Sequence, residues 1–135
     1  MVNYKRYFKD EYKLALKEVS YRLIHNEVAD FSISVLDNAT VEKTSKGIDV
    51  CYHRKVSFVP ESLYSIDVSF LISLTFNENV SHELSDDIDW EKEFSNSDNS
   101  YFPTICGRIS TIIANITSSY GAPPLITPIG FVSKG

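Results

Sequence analysis

Histidine, cysteine and glycine are too few and too scattered in this chain to build a reaction centre. Of 135 residues two are cysteines, Cys51 and Cys106, in unrelated contexts. They cannot form a disulfide framework, and two reduced thiols are the expectation. The three histidines, His25, His53 and His82, are far apart. Zinc wants closely spaced His or Cys ligands, so no metal site is expected. The five glycines stand at Gly47, Gly107, Gly121, Gly130 and Gly135, which leaves no phosphate-cradling loop, and there is no Gly-x-Ser-x-Gly elbow. With no catalytic residues and no cofactor motif, an enzyme is not expected. No apolar run reaches membrane-spanning length. Met1 to Tyr12 lacks the apolar segment of a signal peptide, so a cytoplasmic protein is expected. Positive charge is also short: 13 Lys and Arg against 18 Asp and Glu give a net charge of −5. That balance argues against nucleic acid as the main partner.

What is present is apolar mass, 43% of the residues, enough for the core of a single domain spanning residues 1–135. The chain is organised around Tyr101 to Phe131. Ile105, Ile109, Ile112, Ile113, Ile116 and Tyr120 recur at helical spacing and make one apolar stripe. Ser97, Asp98, Asn99 and Ser100 precede it as N-cap candidates, because their side-chain oxygens can accept the orphan first-turn N–H groups. Pro103 suits the first turn, Gly121 suits the end, and Pro123 and Pro124 forbid continuation. A helix of Ile, Thr and Ser has poor intrinsic propensity, and Gly107 costs a further ~1 kcal/mol relative to Ala. Packing must therefore hold it. Its opposite face carries Ser110, Thr111, Asn115 and Ser118, small and uncharged, which together with the mid-helix Gly107 permits close approach. Two readings stand: a core helix of a monomer, or a helix buried on both sides, against its own sheet and against a partner subunit.

Strands precede it. Ile66, Val68, Phe70, Ile72, Leu74 and Phe76 alternate with polar, nearly uncharged residues. Ile48, Val50, Tyr52, Val56 and Phe58 alternate likewise, with Arg54 interrupting the row. The short loop between the two runs favours an antiparallel hairpin, one face greasy and one wet. Val19 to Leu23 reads as a strand and Phe31 to Val35 as another or as its continuation after a bend, Asp37 to Gly47 as a turn, and Tyr4 to Leu16 as a short N-terminal helix. The fold class is α+β: an antiparallel sheet of about four strands packed on one long C-terminal helix. Asn77 to Asn99 is acidic, which usually means a solvated loop. It also holds Trp90 and Phe94, four apart, so a short helix from Ile88 to Phe94 is expected. A fourth strand is only weakly signalled at Val80 to Leu84, unless Val19 to Val35 supplies two.

Phe102-Pro103 opening a β-branched helix, then Gly121 and the run Pro123-Pro124-Leu125-Ile126-Thr127-Pro128-Ile129-Gly130-Phe131, resembles the SecB-type chaperone family. The resemblance is carried by Tyr101 to Phe131, with agreement of strand pattern alone from Ile48 to Phe76. Two departures stand out. Cys106-Gly107 replaces the family's Arg-Glu or Arg-Ser pair, and the family's second long helix would begin beyond Phe131, where this sequence ends at Gly135. The acidic or metal-binding tail with which some members engage the SecA motor has no counterpart here. The resemblance implies a homotetramer that holds unfolded polypeptide in apolar grooves without nucleotide, either for export, with a translocase motor as a further partner, or for one dedicated client such as an antitoxin. The expected client-binding residues are Leu125, Ile126, Ile129 and Phe131, with Trp90 and Phe94 beside them. Sealing of the chain's own core is an equally good use of Leu125 and Ile126. Gly107, Ser110, Thr111 and Asn115 are the expected oligomer interface. The alternative is an adaptor or structural subunit of the same fold that binds a folded partner through the acidic region.

Overall fold

The computed structural model describes residues 2–96 and 99–133. After a single helical turn, α1 (Tyr4–Tyr7), four strands follow: β1 (Phe8–Leu23), β2 (Ser32–Lys43), β3 (Gly47–Val59) and β4 (Tyr64–Phe76). They form one antiparallel sheet in the order β1-β4-β3-β2. A 3-10 turn at Ser81–Glu83 and the short helix α2 (Trp90–Phe94) lead to the long helix α3 (Phe102–Ser118). This is the expected α+β arrangement.

The alternation in β3 and β4 does what its period requires. Ile48, Val50, Tyr52, Val56, Ile66, Val68 and Ile72 are fully buried on the inner face. Phe102, Ile105, Cys106, Ile109 and Ile113 of α3 close over them.

The N-terminal segment departs from the expected helix. Only Tyr4–Tyr7 is helical, and β1 begins at Phe8. Tyr12, Leu14 and Leu16 already alternate, opposite Leu74, Ile72 and Phe70. A bulge then lets Leu16 and Glu18 face the adjacent residues Phe70 and Ser69. The extra residue, Lys17, shifts the parity, so Val19, Tyr21 and Leu23 join the even-numbered residues on one face. A strand with a parity shift imitates helical spacing.

The turn expected over Asp37 to Gly47 is also shorter than that. β2 runs through to Lys43, paired residue for residue with β3. Asp37 and Asn38 act as strand residues because Asp37 meets Arg54 in the register and Asn38 faces the outer surface. Only Thr44 to Lys46 turn, with Thr44 Oγ1 accepting from the Gly47 and Lys46 N–H groups. Gly47 has no room for a side chain: a Cβ there would lie 1.8 Å from the Leu74 carbonyl oxygen and 2.8 Å from its carbon. Backbone in the sheet centre cannot yield cheaply. Gly47→Ala is expected to destabilise by about 1–3 kcal/mol or more, read as a lower urea midpoint at unchanged slope. A midpoint equal to that of the parent would mean that the hairpin relaxes freely.

Among its described residues the acidic region holds no strand. Val80 to Leu84 forms the 3-10 turn, and β1 and β2 together supply the strands that the Val19 to Val35 region was one candidate for. Asp89 caps α2 by accepting from the Lys92 N–H at 3.2 Å. Trp90 and Phe94 point inward, Trp90 onto Phe8 and Phe76, Phe94 onto Phe102 and Tyr101. Of the four N-cap candidates, Ser97 and Asp98 lie outside the described residues. Neither Asn99 nor Ser100 is the cap: α3 starts after Tyr101 with no side-chain cap bond. Asn99 is instead a buried link, its Nδ2 donating to the Phe94 carbonyl and its Oδ1 accepting from the Tyr101 N–H.

Candidate functional site

Beyond α3 the chain turns back as a strap along the β2–β3 side of the sheet, and a buried ion pair fixes its path. Arg54 interrupts the apolar row of β3, yet its side chain is wholly buried. Its guanidinium forks onto Asp37, Nε to Oδ1 at 2.7 Å and Nη2 to Oδ2 at 2.7 Å. The remaining donors reach the strap: Nη1 to Thr127 Oγ1 at 3.0 Å and to the Pro128 carbonyl, and Nη2 to the Gly130 carbonyl at 2.9 Å. Burial works against the Arg54 charge, but the hydrogen bonds and charge of Asp37 outweigh it, and the net effect raises the guanidinium pKa. Asp37 also accepts from the Tyr52 hydroxyl and from the Val132 N–H, while its own N–H donates to the Val132 carbonyl at 2.7 Å. Burial pushes the Tyr52 hydroxyl far above its ordinary value, and its bond to Asp37 adds to that, so Tyr52 stays a neutral donor.

Three further contacts seat the strap. Thr117 Oγ1 accepts from the Leu125 N–H at 2.8 Å, Ser110 Oγ donates to the Thr127 carbonyl at 3.1 Å, and Phe131 stacks on Phe102 and meets Tyr52 edge-on. This divides the expected client-binding residues. Leu125 and Phe131 pack against the core. Ile126 and Ile129 face outward, 73% and 61% exposed. Trp90 and Phe94 are 8% and 0% exposed, locked among aromatic rings, so they seal the core and do not line a groove. Their apolar bulk in an acidic segment fits both roles, and only the fold tells them apart.

The larger apolar surface lies at the other end of the strap, where no local sequence pattern marks it. The crossover from β1 to β2 passes over the β3–β4 turn, held by the Ile24 N–H donating to the Leu63 carbonyl and Asn26 Nδ2 donating to the Glu61 carbonyl. Between this crossover and the end of α3 opens a groove of about 830 Å³, lined by Tyr21, Leu23, Ile24, Val28, Leu63, Tyr64, Tyr120 and Pro123 among others. Leu63 holds the left-handed conformation, φ 58°, which costs a branched residue strain that glycine would avoid. Its side chain is nevertheless 40% exposed at the groove. Burial, helped by Tyr120 and Tyr21, pushes Tyr64 up to about 12 and burial likewise raises Tyr120, so both rings are uncharged at neutral pH.

The groove runs into an uncovered row on β1. Because α3 lies over β3 and β4, Leu16, Val19, Tyr21 and Leu23 keep 53%, 40%, 41% and 54% of their surface in water. A trough of about 500 Å³ borders this row, lined by Phe70, Thr104, Gly107, Arg108, Thr111 and Ile112. Gly107 has nothing within 4 Å of the position a Cβ would take. Thr111 and Asn115 are exposed, whereas Ser110 is spent inside the chain on the strap. Within the chain, then, α3 is gripped on its sheet side and on its strap side, and its Thr104–Arg108–Thr111–Asn115 flank faces solvent. Among the described residues no cluster of His, Cys, Asp or Glu is arranged to hold a metal, and no helix is long and apolar enough to cross a membrane.

No family model matches the chain, and no curated protein matches it in sequence. The fold has a solved counterpart. The SecB-like chaperone Rv1957 of Mycobacterium tuberculosis, in complex with a ChAD peptide from the Rv1956 HigA1 antitoxin, superposes with a TM-score of 0.62 over 90% of this chain and 88% of that one, at 11% identity. At that identity the likeness concerns the fold.

Proposed function

We propose that this chain is a holding chaperone of the SecB-like type, which keeps non-native polypeptide from aggregating without nucleotide. The observation that carries the reading is the open apolar surface running from the uncovered β1 row into the groove, with Ile126 exposed on the strap, in a chain whose core is already closed. A monomer rarely leaves so much contiguous apolar surface without a use. Unfolded segments offer the matching chemistry: apolar side chains for the groove and free backbone for a sheet edge. The net charge of −5 keeps such a surface soluble and favours basic clients. The fold it shares with a chaperone whose structure holds an antitoxin peptide supports a dedicated client over general export. The protein acts in this reading as a cytoplasmic homo-oligomer, dimer or tetramer. The Gly107–Thr111–Asn115 flank of α3 and the adjoining Leu16 and Val19 meet a second copy, and the groove and strap face the client.

The test is suppression of aggregation of a chemically denatured model enzyme as it is diluted into buffer, read by light scattering. The parent should suppress it near stoichiometric amounts. Full burial of an aliphatic side chain is worth about 1.5–3 kcal/mol, so Ile126→Ser with Ile129→Ser should weaken client binding by about tenfold or more, with the melting temperature unchanged. A parent that folds and oligomerises yet suppresses nothing would exclude the chaperone reading and leave the adaptor.

A further inference from the structure

Arg54 and Asp37 are placed where neither the sheet nor the core needs them. An inner-face position in the middle of β3 is filled by apolar residues on either side, Tyr52 and Val56. A charge there must be paired, and Asp37 pairs it. The pair leaves one part of the guanidinium's donor set over, and all of it is aimed at the strap: Thr127, Pro128 and Gly130. Asp37 binds the strap from the other side through both backbone groups of Val132. Between these anchors the strap has no regular secondary structure of its own. The two anchors bracket Ile129 and immediately follow Ile126, the residues that the strap turns outward.

We propose that the Arg54–Asp37 pair positions the client-binding strap: it holds the strap in the path that presents Ile126 and Ile129, and so sets client affinity without touching the client. The inference rests on the reading of those two isoleucines as client contacts. A clasped strap meets its client already ordered, so less conformational freedom is lost on binding. An unclasped strap leaves the Pro128 and Gly130 carbonyls without their buried donor, and they turn to water, taking Ile129 with them.

The variant that separates positioning from folding is Asp37→Leu with Arg54→Met, which removes the pair as a unit and fills its site with apolar groups. Two quantities are measured beside the melting temperature: hydrogen exchange at the amides of residues 126–132, and affinity for reduced, carboxymethylated α-lactalbumin, a permanently unfolded chain. Expected are a melting temperature near that of the parent, exchange at least tenfold faster across the strap and about tenfold weaker binding. The same pair of changes made in the Ile126→Ser, Ile129→Ser background should weaken binding no further. Exchange unchanged in the strap overturns the clasp. Faster exchange with parental affinity, or an equal loss in the serine background, overturns positioning. Parental affinity in the Ile126→Ser, Ile129→Ser variant alone overturns the site reading itself, and the positioning role falls with it.

Discussion

Asp37→Ala should lower the free energy of unfolding by about 3–5 kcal/mol, because it leaves the Arg54 guanidinium buried without its counter-ion. The carboxylate accepts four hydrogen bonds: two from Arg54, one from the Tyr52 hydroxyl and one from the Val132 N–H at 2.9 Å. Alanine removes both acceptor oxygens, and with them all four bonds, and supplies none. Tyr52 keeps one partner, Cys106 Sγ at 3.2 Å, but Arg54 Nε loses the oxygen it meets at 2.7 Å. The change would be measured by urea unfolding followed by tryptophan fluorescence, since Trp90 is buried beside Phe8 and Phe76. Asp37→Leu with Arg54→Met should recover most of that loss, because the desolvation cost disappears together with the attraction that offset it. A single variant within 1 kcal/mol of the parent would mean that water reaches the guanidinium, and the strap would then not be sealed.

Much of this arrangement could be read from the sequence, and the failures share one cause. β3, β4 and α3 keep periods of 2 and 3.6, broken in β3 by Arg54, so their buried faces follow from counting apolar residues. The first half of β1 reads as helix and only Val19 to Leu23 as strand, because Lys17 is an inserted residue and the apolar positions change parity there. The signal lies in the sequence itself: Tyr12, Leu14 and Leu16 alternate, and Val19, Tyr21 and Leu23 alternate one residue out of step with them. Arg54 was equally visible, one charge in a row of apolar residues, and such a charge demands a partner. What could not be read was which residue answers it. Asp37 lies in a different strand, and only the register brings the two together. The groove is harder still. Its walls come from β1, the crossover after it, the β3–β4 turn and the end of α3. None of these contributes enough apolar residues to stand out locally, so the surface exists only once the topology is known. Trp90 and Phe94 failed in the opposite way: the pattern was seen, but an aromatic pair at helical spacing does not say whether it faces a client or its own core.

The second large effect is expected at the start of α3, where Phe102→Ala should cost about 3–5 kcal/mol. Nothing intrinsic to the helix resists the loss. α3 has no side-chain N-cap, no acidic residue in its first turn and no basic residue in its last. Several of its hydroxyls, those of Thr111, Thr117 and Ser118, bond back to carbonyls one turn earlier, which satisfies them without strengthening the helix. Its stability is therefore the burial of one stripe, and Phe102 is the largest member of that stripe. The ring is 2% exposed and touches three others: Phe94 of α2, Tyr52 of β3 and Phe131 of the strap, with centroids 5.6, 5.9 and 5.5 Å away. Removing it opens a cavity where helix, sheet, α2 and strap converge, and four elements held at fixed spacing cannot collapse into it. Ile126→Ala is the matched control, since a side chain 73% exposed should change stability by no more than about 0.5 kcal/mol. Both are read from the same urea titrations. A Phe102→Ala midpoint indistinguishable from that of the Ile126→Ala control would show that the cap of aromatic rings closes by itself, and that α3 is held by something other than the packing of its first turn.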